Sequence, residues 1–299
     1  MVQNNRSPES SETPSTIIDN NVTEMARLID LHAILARTRE VLFPGYNDTT
    51  AIHYVLNIAC GPGGWTLDVA FEHPKVEVIG VDMNPAMIKY ASALAHSQGL
   101  QNAHFRTMDV LKHLDFPDNT FDVVNAHCMS SSMPTSAWPA LLQDCMRILR
   151  PGGVLYLLEA ETPITNSGIC ERVGALLARV KHQADGYTLI NDESPVAITP
   201  LLGPFLRQAG YRNIQHKAYA IDYAKGAEAY EGCYDNFTVE LQLLKPFLLE
   251  AEVLTEEEFD KLYRDFTIAM LVDGFCGIWY WLSIWGVKPS LPENKSNPL

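Results

Sequence analysis

The chain reads as an α/β protein built on a parallel sheet, and three observations predict this. Short apolar runs of strand length recur at residues 54–58, 76–81, 104–107, 121–126 and 154–158. Segments with apolar residues at helical spacing separate most of them. The first run breaks into a small-residue turn, Ala59-Cys60-Gly61-Pro62-Gly63-Gly64, before a helical pattern begins. Strands that alternate with helices form right-handed βαβ units and a parallel sheet. Buried parallel strands read as continuous apolar runs.

Taken in order, residues 1–21 are polar and rich in Ser, Pro, Glu and Asn. They cannot bury apolar surface, which predicts a disordered tail. Met25, Leu28, Ile29, Ile34 and Leu35 then recur at helical spacing as far as Arg39, and Phe43-Pro44-Gly45 ends that helix. A helix ahead of the first strand of a ligand-binding sheet serves as a lid or as packing, and both readings stand. After the glycine turn a helix runs to about Glu72. The second strand, 76–81, ends at Asp82-Met83-Asn84-Pro85, where Pro85 suits the first turn of the next helix. The third strand ends at Met108-Asp109-Val110, and the turn Phe116-Pro117-Asp118-Asn119 leads into the fourth. Residues 138–149 form a helix with Leu141, Leu142, Cys145, Ile148 and Leu149 on one face, closed by Arg150-Pro151-Gly152-Gly153 ahead of the fifth strand.

Beyond Glu161 the pattern loosens. Helices are expected over 171–183, 199–208, 228–252 and 255–271, the last opened by Thr255 and Glu258 in capping-box register. Asp185-Gly186 and Asn191-Asp192 mark loops, and 213–221 alternates as a strand. Residues 268–287 carry one charge, Asp273. That length matches a bilayer span of about 20 residues. Asp273-Gly274 divides it, so the preferred reading is a helix end, a turn and a final strand over 275–285, with a membrane span as the alternative. The expected organisation is one domain over 22–289, with its core near 50–161 and 200–289, cap segments near 23–46, 162–200 and 226–272, and a polar tail over 290–299.

The bulk properties narrow the function classes. A hydrophobic fraction of 47% supports a sizeable core. A net charge of −14 disfavours a nucleic-acid partner, which needs a basic face. The six cysteines include no C-x-x-C pair, so neither a metal knuckle nor a dithiol site is signalled, and no metal is expected. Free thiols and the lack of a signal segment point to a cytoplasmic protein with no membrane partner. The oligomeric state is not readable.

In parallel sheets the ligand lies beyond the carboxyl ends of the strands, where strand order reverses. A G-x-G-like turn there serves a dinucleotide, a mononucleotide or S-adenosylmethionine. Asp82 ends the second strand about 20 residues after the turn, the spacing of a carboxylate for ribose hydroxyls. Asp109, at the end of the third strand, suits a carboxylate that accepts from an adenine amino group.

The runs VLNIACGPGG, VIGVDMNPAMI, MDV, FPDNTFDVVNAH and Met146-Arg147-Ile148-Leu149-Arg150-Pro151-Gly152-Gly153 fall in that order. With them the chain resembles the class I S-adenosylmethionine-dependent methyltransferases over about residues 54–160. The resemblance implies a Rossmann-like, seven-stranded, mostly parallel sheet with helices on both faces. Residues 213–221 and 275–285 would complete it, the last strand antiparallel, and a helical cap would be added from the N-terminal segment and the second half. It implies S-adenosylmethionine as cofactor. Position by position it implies a backbone cradle of Ala59, Cys60, Gly61 and Gly63, with Asp82 on the ribose and Met83 against adenine. Asp109 would take the adenine amino group, with Met108 and Val110 beside it, and Ala126 and His127 would flank the methionine portion. Asn57 stands where the family often has an acidic residue, and it can reach the methionine amino group without ionic attraction. Ala59 replaces a first glycine and allows close approach provided its φ is negative.

Methyl transfer is an in-line displacement that needs positioning and exclusion of water. A neutral alcohol, phenol or carbon acid also needs a base within hydrogen-bond reach. His127 and Glu159 are the candidates, with Glu161 behind them; a structural histidine and a carboxylate that fixes a helix end are the competing readings. The cap segments carry Tyr187, Tyr223, Tyr230, Tyr234, Phe237, Phe247, Phe266 and Phe275, which together favour an enclosed small-molecule site. No Asn/Asp-Pro-Pro-Phe/Tyr run is present, against an amino-methylating nucleic-acid enzyme of that type. The leading expectation is methyl transfer to an O, N or C nucleophile of a small, partly apolar metabolite in secondary metabolism. The alternatives are a fold relative that uses the same cofactor for cyclisation, rearrangement or decarboxylation, and a non-catalytic binding protein.

Overall fold

A computed structural model describes residues 22–38, 42–46, 48–131, 133–185 and 197–290. The expected tail over 1–21, the loop signals from Gly186 to Asp192, Tyr187 and all but the first residue of the polar C-terminal tail lie outside the described residues. The chain opens with α1 (Val22–Thr38). The alternating half follows as β1 (Tyr54–Ile58), α2 (Gly64–Glu72), β2 (Glu77–Asp82), α3 (Pro85–Ser97), β3 (Ala103–Thr107), β4 (Phe121–His127), α4 (Trp138–Ile148) and β5 (Leu149–Ala160). Then come β6 (Ile164–Thr165), α5 (Gly168–Asp185), α6 (Thr199–Ala209), β7 (Arg212–Asp222), α7 (Tyr230–Leu243), α8 (Lys245–Glu250), α9 (Glu256–Leu271) and β8 (Gly277–Val287).

The sheet runs β3-β2-β1-β4-β5-β8, with β7 on the outer side of β8. Strands β1 to β5 pair in parallel, and β8 is antiparallel to both β5 and β7. Strand order therefore reverses between β1 and β4, which sets the ligand position at their carboxyl ends. The eighth strand, β6, was not legible in the sequence; it is a two-residue pairing with the start of β8.

Strand alternation sorts the core. Leu56 and Ile58 of β1, Leu155 and Leu157 of β5 and Leu282 and Ile284 of β8 face α4 and α6. On the opposite face Val55, Val78 and Val123 pack with Trp65 of α2. Farther along that second face, Tyr156, Leu158, Trp279 and Trp281 are covered by α1, α5, α7 and α9. This second cluster makes the cap one continuous apolar body with the sheet.

Two boundaries differ from expectation. The fifth strand begins at Leu149 because Leu149 already pairs with Phe121, so Arg150–Gly153 lies inside the strand and not ahead of it. The expected helix over 228–252 is two, α7 and α8, and Pro246 in the first turn of α8 marks the break. Residues 268–287 divide between the end of α9, a turn and β8, and no helix among the described residues is long and apolar enough to cross a membrane. Thr255 caps α9 in the full capping box, with Glu258 returning a bond to the Thr255 amide.

Candidate cofactor and acceptor site

Backbone bonds line up the strand ends. Cys60 N donates to Val81 O at 2.9 Å, and Met108 N donates to Asp82 O at 2.9 Å. Ile58 pairs with Val81 on one side and Ala126 on the other, so the glycine turn, Asp82, Met108 and Ala126 share one edge of the sheet. The turn is left-handed at Ala59 (φ 50), Gly61 (φ 53) and Gly63 (φ 89). A Cβ on Gly63 would meet Ala91 Cβ at 2.8 Å and the Phe105 ring at 3.0 Å, so glycine lets α2 and α3 close together beneath the turn. The condition on Ala59 is not met, because its φ is positive. An alanine there carries strain of about 1–2 kcal/mol that glycine would not.

Asp82 closes the turn. Its Oδ2 accepts from Gly61 N at 2.8 Å and its Oδ1 from Asn84 N at 2.9 Å. Burial pushes its pKa up, and those two amides act in the opposite direction. An ionised carboxylate offers about four lone-pair sites, so each oxygen keeps one for a ribose hydroxyl. Met83 beside it is 47% exposed, an apolar surface at the site's edge. Asp109 is turned into its own loop: Oδ1 accepts from Leu111 N at 3.0 Å, and Oδ2 lies 3.2 Å from Lys112 Nζ. Met108 and Val110 are half-buried against the core. The Cys60 thiol is buried and its pKa is raised by that burial, consistent with a packing role.

Asn57 is committed elsewhere than expected. Its Nδ2 donates to Thr66 Oγ1 at 3.0 Å, and its Oδ1 accepts from Asn125 Nδ2 at 2.7 Å. This buried chain ties β4 and β1 to the first turn of α2. Asn57 holds the frame of the turn and does not point a free amide at the cofactor's amino group.

The acceptor side begins where β4 ends. Ala126 is buried, and the His127 ring lies between Trp65 (centroids 5.9 Å) and Tyr156 (5.5 Å), edge-on to each. Glu159 is fully buried, with Oε1 accepting from Met129 N at 2.8 Å and Oε2 from Ser130 N at 3.1 Å. A carboxylate bound to two backbone amides in the interior is a poor general base. Both oxygens tie Glu159 to the start of the short helix Met129–Ser131.

Sequence reasoning missed α1 as a residue-level part of the site. Leu28 Cδ1 lies 3.6 Å from where a Gly61 Cβ would stand, and any Cβ on Gly64 would run into the His32 ring. His32 Nε2 pairs with Asp68 Oδ2 at 3.0 Å. Leu28 and His32 sit four apart on one helical face, which was the available signal. A cavity of about 260 Å³ between α1, α2 and α3 includes Pro62 and Gly64 but none of the strand-end carboxylates, so it is separate from this site. Among the described residues no His, Cys, Asp and Glu grouping could hold a metal ion.

The strand order, the left-handed glycine turn and the carboxylate closing it define a Rossmann-like nucleotide-cofactor protein. Known proteins narrow this. A methyltransferase domain family matches residues 55–153. The demethylmenaquinone methyltransferase of Lactiplantibacillus plantarum is 29% identical over 175 residues, 56% of this chain and 73% of the relative. An uncharacterized methyltransferase of Schizosaccharomyces pombe is 34% identical over 113 residues, 36% of this chain and 40% of the relative. Two solved structures share the fold. A Haemonchus contortus phosphoethanolamine N-methyltransferase 2, in complex with phosphomonomethylethanolamine and S-adenosylhomocysteine, has a TM-score of 0.53 at 16% identity, covering 94% of this chain and 61% of its own. The YcgJ protein of Bacillus subtilis has a TM-score of 0.51 at 16% identity, covering 87% of this chain and 98% of its own. Residues 55–153 match a methyltransferase domain, and these likenesses support a class I S-adenosylmethionine-dependent methyltransferase with S-adenosylmethionine as cofactor.

Proposed function

We propose that the enzyme methylates an O, N or C nucleophile of a small, partly apolar metabolite of secondary metabolism. The observation that carries this is the aromatic face beyond β4 and β5. His127 stands between Trp65 and Tyr156, and Trp279 packs edge-on against both Phe237 and Trp281 under the cap helices. Such a surface suits a flat, partly apolar acceptor. Relatives are named for demethylmenaquinone and, in Arabidopsis thaliana, for phosphoethanolamine, both small molecules.

The cradle fits the cofactor on its own geometry. Gly61 is left-handed and open toward the site, and Asp82 has acceptor sites left over after closing the turn. In this reading the turn from Ala59 through Cys60 and Gly61 to Gly63 lies against the methionine portion. Asp82 accepts from the ribose hydroxyls and Met83 packs on adenine. Asp109, Met108 and Val110 border the adenine edge, with Asp109 accepting its amino group after parting from Lys112. S-adenosylmethionine, when bound, supplies a methyl group on a sulfonium whose charge disperses as the methyl leaves. Trp65, Tyr156 and α1 exclude water around it. His127, at the end of β4, orients the acceptor and takes its proton where the nucleophile arrives protonated. The cap segments 23–46, 162–200 and 226–272 select the acceptor.

Incubation with tritiated-methyl S-adenosylmethionine and a metabolite panel tests this. Label in an extracted product with matching S-adenosylhomocysteine supports the reading. A product formed without S-adenosylhomocysteine would mean that the fold has kept the cofactor and lost the transfer.

A further inference from the structure

The cap contains a buried polar cluster in apolar surroundings. On α1, Arg27 grips Glu24 with both ends of its fork: Nε to Oε2 at 2.7 Å and Nη2 to Oε1 at 2.7 Å. Its Nη1 crosses to α7 and donates to Asn236 Oδ1 at 2.8 Å. Asn236 is 2% exposed, and its Nδ2 is buried with no hydrogen-bond partner. Burial acts to lower the Arg27 pKa, but the Glu24 bond and the charges of Glu240 and Glu24 outweigh it and hold it above the ordinary value. Cys128, one residue beyond β4, lies in the field of the same guanidinium.

A buried amide donor without a partner is uncommon in folded proteins and asks for an explanation. Here the donor belongs to a buried residue of α7 that Arg27 ties to α1. Phe237, the next residue of α7, packs on Trp279 at 4.8 Å. The Arg27 charge is already matched by Glu24, with Glu240 close by. An anionic ligand would meet that surplus of negative charge, and a cation would offer Asn236 no acceptor. What remains is a neutral, polarised oxygen.

We propose that the seam between α1 and α7 is the acceptor-recognition site, where Asn236 Nδ2, held against Arg27, donates to a neutral carbonyl or hydroxyl oxygen on a ring-bearing acceptor. This rests on the methyltransferase reading above. A site built to hydrogen-bond an oxygen rejects analogues that lack one, because its donor is then left unpaired.

The test uses the full chain saturated with S-adenosylhomocysteine, 1,4-naphthoquinone as the neutral carbonyl probe, and quenching of tryptophan fluorescence. Saturable quenching is expected. Asn236→Asp keeps an oxygen for Arg27, removes the donor and adds a negative charge; it should weaken probe binding at least tenfold while S-adenosylhomocysteine affinity stays within twofold. Asn236→Leu, which removes the donor without adding charge, should do the same and decides the matter if the aspartate variant misfolds. Unchanged probe affinity in a folded variant, parallel loss of probe and S-adenosylhomocysteine binding in both variants, or displacement of the probe by phosphoethanolamine would overturn the assignment. So would a wild-type protein that binds S-adenosylhomocysteine and shows no saturable quenching. A wild-type protein that does not bind S-adenosylhomocysteine would overturn the cofactor reading instead.

Discussion

Glu159→Gln separates an anchoring carboxylate from a catalytic one. In the wild type both oxygens accept backbone amides, at 2.8 and 3.1 Å, in a fully buried position. A glutamine at the same place offers one oxygen and one N–H group, so one amide keeps its partner and the other faces a donor. A hydrogen bond to a charged group contributes roughly 1.5–3 kcal/mol, and the surviving one becomes neutral and weaker. The expected destabilisation is about 2 kcal/mol, or a fall in Tm of about 3 °C for a chain of 299 residues. Thermal unfolding followed by circular dichroism measures it. The Met129–Ser131 helix also backs His127, so kcat should fall several-fold while the pH profile of kcat keeps its shape. An unchanged Tm together with loss of the acid limb of that profile would refute the reasoning and return Glu159 to the role of base.

Ala59→Gly removes a left-handed alanine; it should relieve about 1–2 kcal/mol of strain, less about 0.4–1 kcal/mol of added unfolded-chain freedom, and so raise Tm or leave it level. A clear fall in Tm would show that the φ of 50 is not strained. Asn57→Asp should keep both interior bonds, with Thr66 donating in place of accepting, and add a negative charge behind the turn. Tighter S-adenosylmethionine binding with a lower Tm is expected, and titration calorimetry with unfolding curves checks the pair. Asp82 gives a pH dependence. Its folded pKa is raised by burial, so its protonated form contributes stability below the ordinary carboxylate value, and that contribution is lost as pH rises through the raised pKa. The ribose bonds need the charged form, so cofactor affinity should fall as pH drops through the same raised value. Asp82→Asn should flatten that dependence, and a profile identical to the wild type would assign it to another group.

Much of the sheet was legible because its strands announce themselves as apolar runs closed by Asp82, Asp109 and Gly61. That 213–221 and 275–285 complete the sheet was implied by the resemblance, while their pairing with each other came from the structure. The split at Pro246 was missed because apolar spacing continues across it from Leu244 to Leu248, and periodicity does not register a missing amide. β6 was missed because two residues carry no pattern. At the site, residue type and spacing located Asp82 and the turn but could not report backbone sign at Ala59 or the partner of Asn57. Those depend on how β4 and α2 meet β1. The pairing of Arg27 with Asn236 joins segments 209 residues apart, which local reasoning cannot reach. Its signal was a Glu24–Arg27 pair on the face of α1 that also carries Leu28 and Leu31.

Whether this chain holds S-adenosylmethionine at the turn that Asp82 closes comes down to one titration, S-adenosylhomocysteine into the wild type and into Asp82→Ala. One molecule should bind each wild-type chain. Removing the carboxylate should weaken binding by roughly 1.5–3 kcal/mol, on the order of 10- to 150-fold, as charge-assisted bonds to the ribose are lost. Equal affinity in the two proteins, or no binding to the wild type, would contradict the assignment.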